Sequence, residues 1–302
     1  MIRNRTLTYL LLAIVALAAV VAFVASRSFS AGETTVAALA GETHFHGIAV
    51  DPRDASRLYL ATHHGVFVVG PDGAARRISD TTDDFMGFTP HPADPNVLYA
   101  SGHPAGGGNL GFIVSRDGGK SWTKLADGVG GPVDFHQMDV SKADPKVVYG
   151  VFGALQRSTD AGRSWTPIGA APEGIIGLAA SSTDVDRVYA ATQRGLMVSA
   201  DGGRRWQSAH DSRQPATMVH VTPGGTVYAF IAGTGLVRGT EPDLDWTALG
   251  DEFGGALVLH LAASTTEGKS AVYAATFDPE TRAQALYMSR DGGRSWVSLG
   301  AE

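Results

Sequence analysis

The chain begins with an unbroken apolar stretch, and its pattern changes after about residue 30. Arg3 and Arg5 precede an uncharged run of 19 residues from Leu7 to Ala25, and Arg27 follows it. This run is longer than the apolar core of about 7–15 residues in a signal peptide, and it reaches the roughly 17–25 residues of a membrane-spanning helix. Residues 1–30 are therefore predicted to be a transmembrane anchor or a signal peptide.

The charges around this segment predict where the rest of the chain is located. Basic residues beside a membrane segment stay on the cytoplasmic side, so everything after about Ser30 is expected to be extracytoplasmic. The protein is then either anchored to the membrane by its N-terminus or secreted after cleavage. Residues 31–42 are predicted to be a linker, and residues 43–302 are predicted to form the folded domain.

After the linker, an apolar strand recurs with a tyrosine thirteen residues after its start. The pairs are His46 and Tyr59, Met86 and Tyr99, His136 and Tyr149, Ile176 and Tyr189, and His260 and Tyr273. Tyr228 belongs to a shortened copy. Short apolar segments separated by proline and aspartate turns indicate antiparallel strands rather than helices.

A second motif, Ser-x-Asp-x-Gly-x-x-Trp, alternates with the first. Four full copies and one degenerate copy end at the five tryptophans of the chain, Trp122, Trp165, Trp206, Trp296 and Trp246. Serine and aspartate can bond the amides of a tight turn, glycine permits positive φ, and tryptophan can pack between sheets. The spacing of about 40–50 residues is typical of propeller blades.

Together the two motifs predict an all-β fold, a six-bladed β-propeller with four-stranded blades preceded by one N-terminal hydrophobic helix. The predicted units lie near residues 44–80, 84–127, 134–170, 174–209, 215–249 and 257–300. Residues 35–40 are expected to add an outer strand to the ring. Propellers leave only short, protected sheet edges, which makes so much β-structure tolerable in solution.

The second motif is the Asp-box, and through it the chain resembles the sialidase-like (BNR) repeat proteins over nearly all of residues 43–302. His-Phe-His-Gly at 44–47 and Thr-His-His-Gly at 62–65 are also similar to exported propellers often labelled glycosylhydrolase or exo-sialidase by similarity. This resemblance implies the fold. It does not fix the chemistry, since one fold carries many functions.

Composition excludes several classes of function. The formal charge of −6, from 24 basic and 30 acidic residues, gives no basic footprint for nucleic acid. The absence of cysteine excludes disulfides, thiolate metal sites and a cysteine nucleophile.

The four strands of each predicted blade are lettered A to D in chain order. Histidine and methionine recur at the starts of the A strands and in the B–C loops, which are expected on one face near the axis. The predicted metal ligands are His44, His46, His63, His64, Met86, His103, His136, Met138 and His260. Imidazole suits several transition metals, and a thioether shifts the preference towards copper before zinc. Asp84 and Asp134, each two residues before a strand start, are expected to orient imidazoles or to bind the metal themselves.

Two other functions remain open from the sequence. The sialidase pattern of an arginine triad and an Arg-Ile-Pro-like segment is missing, but Asp84 and Asp134 are candidate catalytic carboxylates for another type of glycoside hydrolase. An exported propeller without a recognisable catalytic set also fits a platform that binds a protein or glycan partner.

Overall fold

The structure is a computed structural model that describes residues 33–251, 253–266 and 269–300. The predicted anchor or signal peptide, and with it the predicted N-terminal hydrophobic helix, lies outside these residues. In the part of the chain that is described, no helix has the length and apolar character needed to cross a bilayer.

Six antiparallel sheets of consecutive strands confirm the six-bladed propeller. Blade 1 contains β2 (Phe45–Asp51), β3 (Asp54–Thr62), β4 (Gly65–Val69) and β5 (Ala74–Arg77). Blade 2 contains β6 (Asp84–Pro90), β7 (Leu98–His103), β8 (Phe112–Ser115) and β9 (Thr123–Ala126). Blade 3 contains β10 (Gln137–Val140), β11 (Val148–Phe152), β12 (Ala154–Ser158) and β13 (Thr166–Gly169).

The second half of the chain repeats this arrangement. Blade 4 contains β14 (Ile175–Ala180), β15 (Val188–Thr192), β16 (Gly195–Ser199) and β17 (Gln207–Ser208). Blade 5 contains β18 (Ala216–Val221), β19 (Thr226–Ile231), β20 (Gly235–Thr240) and β21 (Thr247–Gly250). Blade 6 contains β22 (Leu257–Thr266), β23 (Lys269–Phe277), β24 (Gln284–Ser289) and β25 (Val297–Ser298).

The segment predicted to be a linker packs across the junction of the first and last blades. β1 (Thr34–Thr35) pairs with β5 as a fifth strand of blade 1, and the short helix α1 (Val36–Glu42) follows it. The expected outer strand is thus limited to two residues. Val36 and Leu39 are buried in a cluster with side chains of blades 1 and 6, so α1 helps to close the ring.

Asp-box turns connect the third and fourth strands, as the motif predicted. In blade 2, Asp117 Oδ1 accepts hydrogen bonds from the amides of Lys120 and Ser121, each at 3.0 Å. Ser115 Oγ accepts one from the amide of Gly119 at 2.8 Å, and Trp122 Nε1 donates to the carbonyl of Gly119. The serine contact recurs in the other three full copies, so these side chains stabilise turns.

Several of the repeated tyrosines join neighbouring blades. The hydroxyl of Tyr149 in blade 3 donates to the carbonyl of Val185 in blade 4 at 2.8 Å. Tyr273 in blade 6 makes the same kind of bond to Ala55 in blade 1 at 2.9 Å. The six innermost strands contact one another in a closed ring, β2, β6, β10, β14, β18, β22 and back to β2. Their starts therefore surround one axis.

Removing one of these inter-blade hydroxyls should destabilise the ring by a measurable amount. Tyr149→Phe leaves the Val185 carbonyl without this donor, so we expect a loss of about 1 kcal/mol in the free energy of unfolding by urea. Tyr99→Phe is the matched control, because no partner is described for the Tyr99 hydroxyl and a smaller loss is expected. Equal losses in the two variants would contradict a stabilising role for the hydrogen bond between Tyr149 and Val185.

Candidate metal sites at the blade junctions

The innermost strands enclose an axial channel of about 620 Å³, and the predicted ligands gather at the end where these strands begin. His46, His136 and His260 line this channel. The B–C loop histidines and the two aspartates lie beside it, and they divide into two groups at neighbouring blade junctions.

The first His/Asp group contains His46, His63 and Asp84. His46 Nε2 lies 3.2 Å from both ring nitrogens of His63 and 3.6 Å from Asp84 Oδ1. His63 Nδ1 lies 2.8 Å from Asp84 Oδ2. One ligand atom from each of the three residues lies within 4.8 Å of the others, and the separations of 3.2 Å and 3.6 Å from His46 Nε2 suit ligands around a single cation with bonds of about 2.0–2.2 Å.

The second His/Asp group contains His103, Asp134 and His136. His136 Nε2 lies 2.7 Å from Asp134 Oδ2, and His103 Nε2 lies 3.0 Å from the same oxygen. The other ring nitrogen of His103, Nδ1, contacts the carbonyl of Gly108 at 2.8 Å. This second contact fixes the orientation of a ring whose Nε2 faces the carboxylate.

The two groups repeat one arrangement. In each, a histidine meets an aspartate at or just before the start of the next blade's innermost strand. His63 lies in the loop between the second and third strands as expected, whereas His103, expected in the same loop of blade 2, is the last residue of β7. The groups also adjoin, because Asp84 and His103 are cross-strand partners in blade 2. Gly102 has φ 122°, and a Cβ there would collide with the carbonyl oxygen of Asp84, so this close approach requires glycine.

Each group contains an unsatisfied carboxylate oxygen. Asp84 Oδ1 and Asp134 Oδ1 are both buried and have no hydrogen-bond partner among the described residues. The other oxygen of each carboxylate contacts imidazole. A buried acceptor without a partner is costly, and here it occurs at equivalent positions in both groups.

The local electrostatics differ between the groups. Burial lowers the pKa of His46 well below its usual value, and His63, His260, His136 and His44 lower it further. A neutral imidazole keeps the lone pair that a metal needs. At His136, burial acts to lower the pKa, but the hydrogen bond to Asp134 and its charge outweigh burial and raise it.

The backbone that carries these histidines does not need them. In blade 1, Thr62 Oγ1 donates to the carbonyl of Gly65 at 3.0 Å and accepts from the amide of His64 at 3.0 Å. In blade 4, Thr192 makes the same two contacts around Gln193 and Arg194. The same turn thus forms without imidazole at the position of His63.

The other predicted ligands lie outside the two groups. His44 and His64 are neighbours of the first group, with ring centroids 5.4 Å and 6.5 Å from that of His63. His260 Nε2 contacts the carbonyl of Phe45 at 3.2 Å. Met86 is 4% exposed and Met138 is 6% exposed, and Met138 packs in a hydrophobic cluster with Val133 and Phe135.

β-bulges explain why equal spacing did not give equal placement. His46 is the bulged residue of β2, between the paired positions Phe45 and Gly47. In β6 the bulge comes later, so Met86 is paired with Ser101. In β22 the bulged residue is Leu259, at the same ladder position as His46 in β2. His260 is displaced by one extra residue between Ala262 and Tyr273. Counting back from the tyrosine could detect neither the bulge positions nor this longer connection.

Comparison with known proteins agrees with the repeat and the fold. A model of the BNR/Asp-box repeat matches residues 113–124. A comparison with curated protein sequences finds no match.

Solved structures share the architecture at low sequence identity. The GH74 xyloglucanase from Xanthomonas campestris is similar with a TM-score of 0.56 and 19% identity, over 88% of this chain and 46% of that one. The GH74 enzyme of Niastella koreensis has a TM-score of 0.56 and 15% identity, over 85% and 45%. This chain therefore spans less than half the length of either enzyme.

A third structure matches over most of both chains. YCF48 from Cyanidioschyzon merolae has a TM-score of 0.50 and 16% identity, over 86% of this chain and 87% of that one. At these identities the likeness concerns the fold alone. Together with the repeat match and the six sheets, it shows that the chain has a β-propeller fold with an Asp-box repeat, similar in these two respects to sialidase-like (BNR) repeat proteins.

Proposed function

We propose that this propeller binds transition-metal ions at two adjacent sites, formed by the first and second His/Asp groups. The observation that carries the proposal is the pair of buried, unpartnered oxygens, Asp84 Oδ1 and Asp134 Oδ1. Hydrogen bonding between imidazole and carboxylate accounts for the other oxygen of each aspartate, but it leaves these two unsatisfied.

One cation bound in each group would provide a partner for the unsatisfied oxygen of that group. Leaving a buried acceptor unpaired costs about 1–3 kcal/mol, and the protein incurs this cost twice at equivalent positions. In each group two imidazole nitrogens lie close to the carboxylate. Two histidines and one carboxylate are a common protein ligand set for divalent metals, with coordination positions left for water or a further ligand.

Repeat symmetry separates function from folding in the first group. Gln193 and Ile176 of blade 4 stand where blade 1 has His63 and His46, on the same turn and at the bulged position of the corresponding strand. Blade 4 folds without any of these ligands. The imidazoles of blade 1 are therefore not needed to form the sheet and are available to bind a ligand.

The donor set favours a borderline divalent ion such as Zn²⁺ over copper. The sequence preference for copper depended on a thioether ligand, yet Met86 is buried away from the channel lining and Met138 packs among apolar side chains. Imidazole nitrogen and carboxylate oxygen are ordinary zinc ligands. We therefore take Zn²⁺ as the test ion.

Zinc binding to the purified full-length protein should have a stoichiometry of two. Equilibrium dialysis followed by elemental analysis measures this directly. His63→Gln, which copies the blade 4 turn, and His103→Gln should each reduce it to one, and the double variant should retain none. The physical reason is that each substitution removes one of only three protein ligands.

The control for this experiment is His210→Gln, outside both groups, where His210 Nδ1 accepts a hydrogen bond from the Ser212 amide. It should retain two zinc ions. Retention of two ions by the double variant, or no uptake by the parent protein at any zinc concentration, would contradict the proposal.

A glycoside hydrolase is the second candidate, favoured by the fold shared with GH74 enzymes and by the presence of Asp84 and Asp134 on one face. Both carboxylates contact histidines rather than an open cleft. A general acid must instead present its proton to the glycosidic oxygen. The protein or glycan platform also remains a prediction, as do export and the membrane anchor.

Hydrolysis can be tested with xyloglucan and a panel of aryl glycosides, measuring released reducing sugar or phenol. We expect no release above the rate of the Asp84→Asn, Asp134→Asn double variant, because neither carboxylate is free to transfer a proton to a sugar. Release by the parent protein that both single substitutions abolish would support the hydrolase and count against the metal sites.

A further inference from the structure

A ring of six side chains lies deeper in the channel, apart from both His/Asp groups. Its members are the residues paired across the ladder with the repeated tyrosine of each blade, and all six line the channel: Ala49, Thr89, Asp139, Ala179, His220 and Ala262. Asp139 comes three residues after His136, so at about 3.3 Å per residue this layer is about 10 Å further along the strand.

The carboxylate of Asp139 carries the negative charge of the layer, and both of its oxygens already have partners. Asp139 Oδ1 accepts hydrogen bonds from the Thr89 hydroxyl and the Val140 amide, each at 2.9 Å. Asp139 Oδ2 accepts one from the Ala180 amide at 2.8 Å and pairs with the ammonium of Lys142. Four donors satisfy one carboxylate, so the layer has little accepting capacity left.

Hydrogen-bond donors near this layer remain available to a ligand. Lys142 lines the channel with a side chain only 10% exposed, and of its three N–H groups the described contacts engage one, to Asp139. His220 Nε2 is buried and has no partner among the described residues. Burial and the charge of Lys142 lower the pKa of His220 to about 4, with Asp139 opposing them, so the Lys142 charge is felt at this ring.

The channel supplies room for a ligand. Its volume of about 620 Å³ is within the range of small-molecule sites, about 300–1,000 Å³, and alanine, which also packs in the apolar clusters between blades, occupies the ring position in blades 1, 4 and 6. Between this layer and the mouth, the lining includes Ile48, Leu178 and Met218. The channel therefore has apolar walls and, at this layer, hydrogen-bond donors without partners in the described part of the chain. These features suit a ligand with an apolar body and a carboxylate or similar oxyanion at one end.

We propose that the axial channel binds a small organic carboxylate, with its oxygens held by Lys142 Nζ and His220 Nε2 and its apolar body directed towards the mouth. Net charge alone would not select an anion, because Lys142 and Asp139 cancel. The selection comes from hydrogen bonding, because the Asp139 carboxylate is already engaged, Lys142 has N–H groups to offer, and the Nε2–H tautomer of neutral His220 adds a second donor. This site is distinct from the proposed metal sites and does not depend on them.

The test uses 4-fluorobenzoate as the probe and 4-fluorobenzamide as its neutral match, with full-length protein in excess EDTA. Fluorine NMR should show saturable broadening of the carboxylate signal and at least tenfold weaker binding of the amide. His220→Phe should weaken carboxylate binding at least tenfold, because it removes Nε2 at a position without a protein partner. Ala179→Leu should block the layer without changing any polar group; because Ala179 also packs in the apolar cluster between blades 4 and 5, its free energy of unfolding is measured alongside to confirm that the variant is folded.

Further variants separate this site from the metal sites. Lys142→Met should also abolish binding, and if it fails to fold, because it leaves Asp139 without its ammonium partner, His220→Phe and Ala179→Leu decide the outcome. His63→Gln and His103→Gln should bind the probe like the parent protein. The proposal is overturned if the amide binds as well as the acid, if His220→Phe and Ala179→Leu leave the affinity unchanged, or if no carboxylate binding is detected.

Discussion

The packing of each sheet against the next, around one axis, is the constraint on which the rest of the structure depends. Every blade buries one face against its neighbour, and the hydroxyls of three of the repeated tyrosines connect neighbouring blades near the loops between their first and second strands. Because every innermost strand enters the ring from the same end, the B–C loop of one blade must lie beside the strand start of the next. Two side chains far apart in sequence are thereby brought together at each junction.

Only some junctions bring candidate ligands together. At the junctions of blades 1 and 2 and of blades 2 and 3, a histidine at or after the end of the second strand meets an aspartate and a second histidine. Blade 4 has the same threonine turn with glutamine and arginine in place of the histidines. The scaffold and the candidate ligands are therefore separable, and this is why ligand substitutions test function without threatening the fold.

The channel adds a second kind of asymmetry. The residue opposite the repeated tyrosine is alanine in three blades, and threonine, aspartate and histidine in the others. Apolar packing alone would not select a buried Asp139 with four donors or an unpartnered His220 Nε2. The near-symmetric fold thus presents two chemically different levels along one axis.

The sequence predicted the fold closely, because the Asp-box and the tyrosine each mark one fixed place in a blade. The strands of all six sheets fall within a few residues of the predicted units. The grouping of the candidate site was harder to predict. The bulges that set His46 apart from Met86 depend on strand pairing, and so does the contact of Asp84 with the histidine of the preceding blade. Neither the positions of the bulges nor this contact can be predicted from the spacing of residues along the chain. His220 was also missed, since its blade lacks the regular thirteen-residue interval.

Anomalous X-ray scattering from crystals grown with zinc tests the central claim most directly. The account predicts two zinc peaks at adjacent blade junctions, each about 2.0–2.2 Å from a carboxylate oxygen of Asp84 or Asp134 and from imidazole nitrogens of its own group. A single peak on the axis bound by His46, His136 and His260 together, or strong peaks only at surface residues outside both groups, would contradict it.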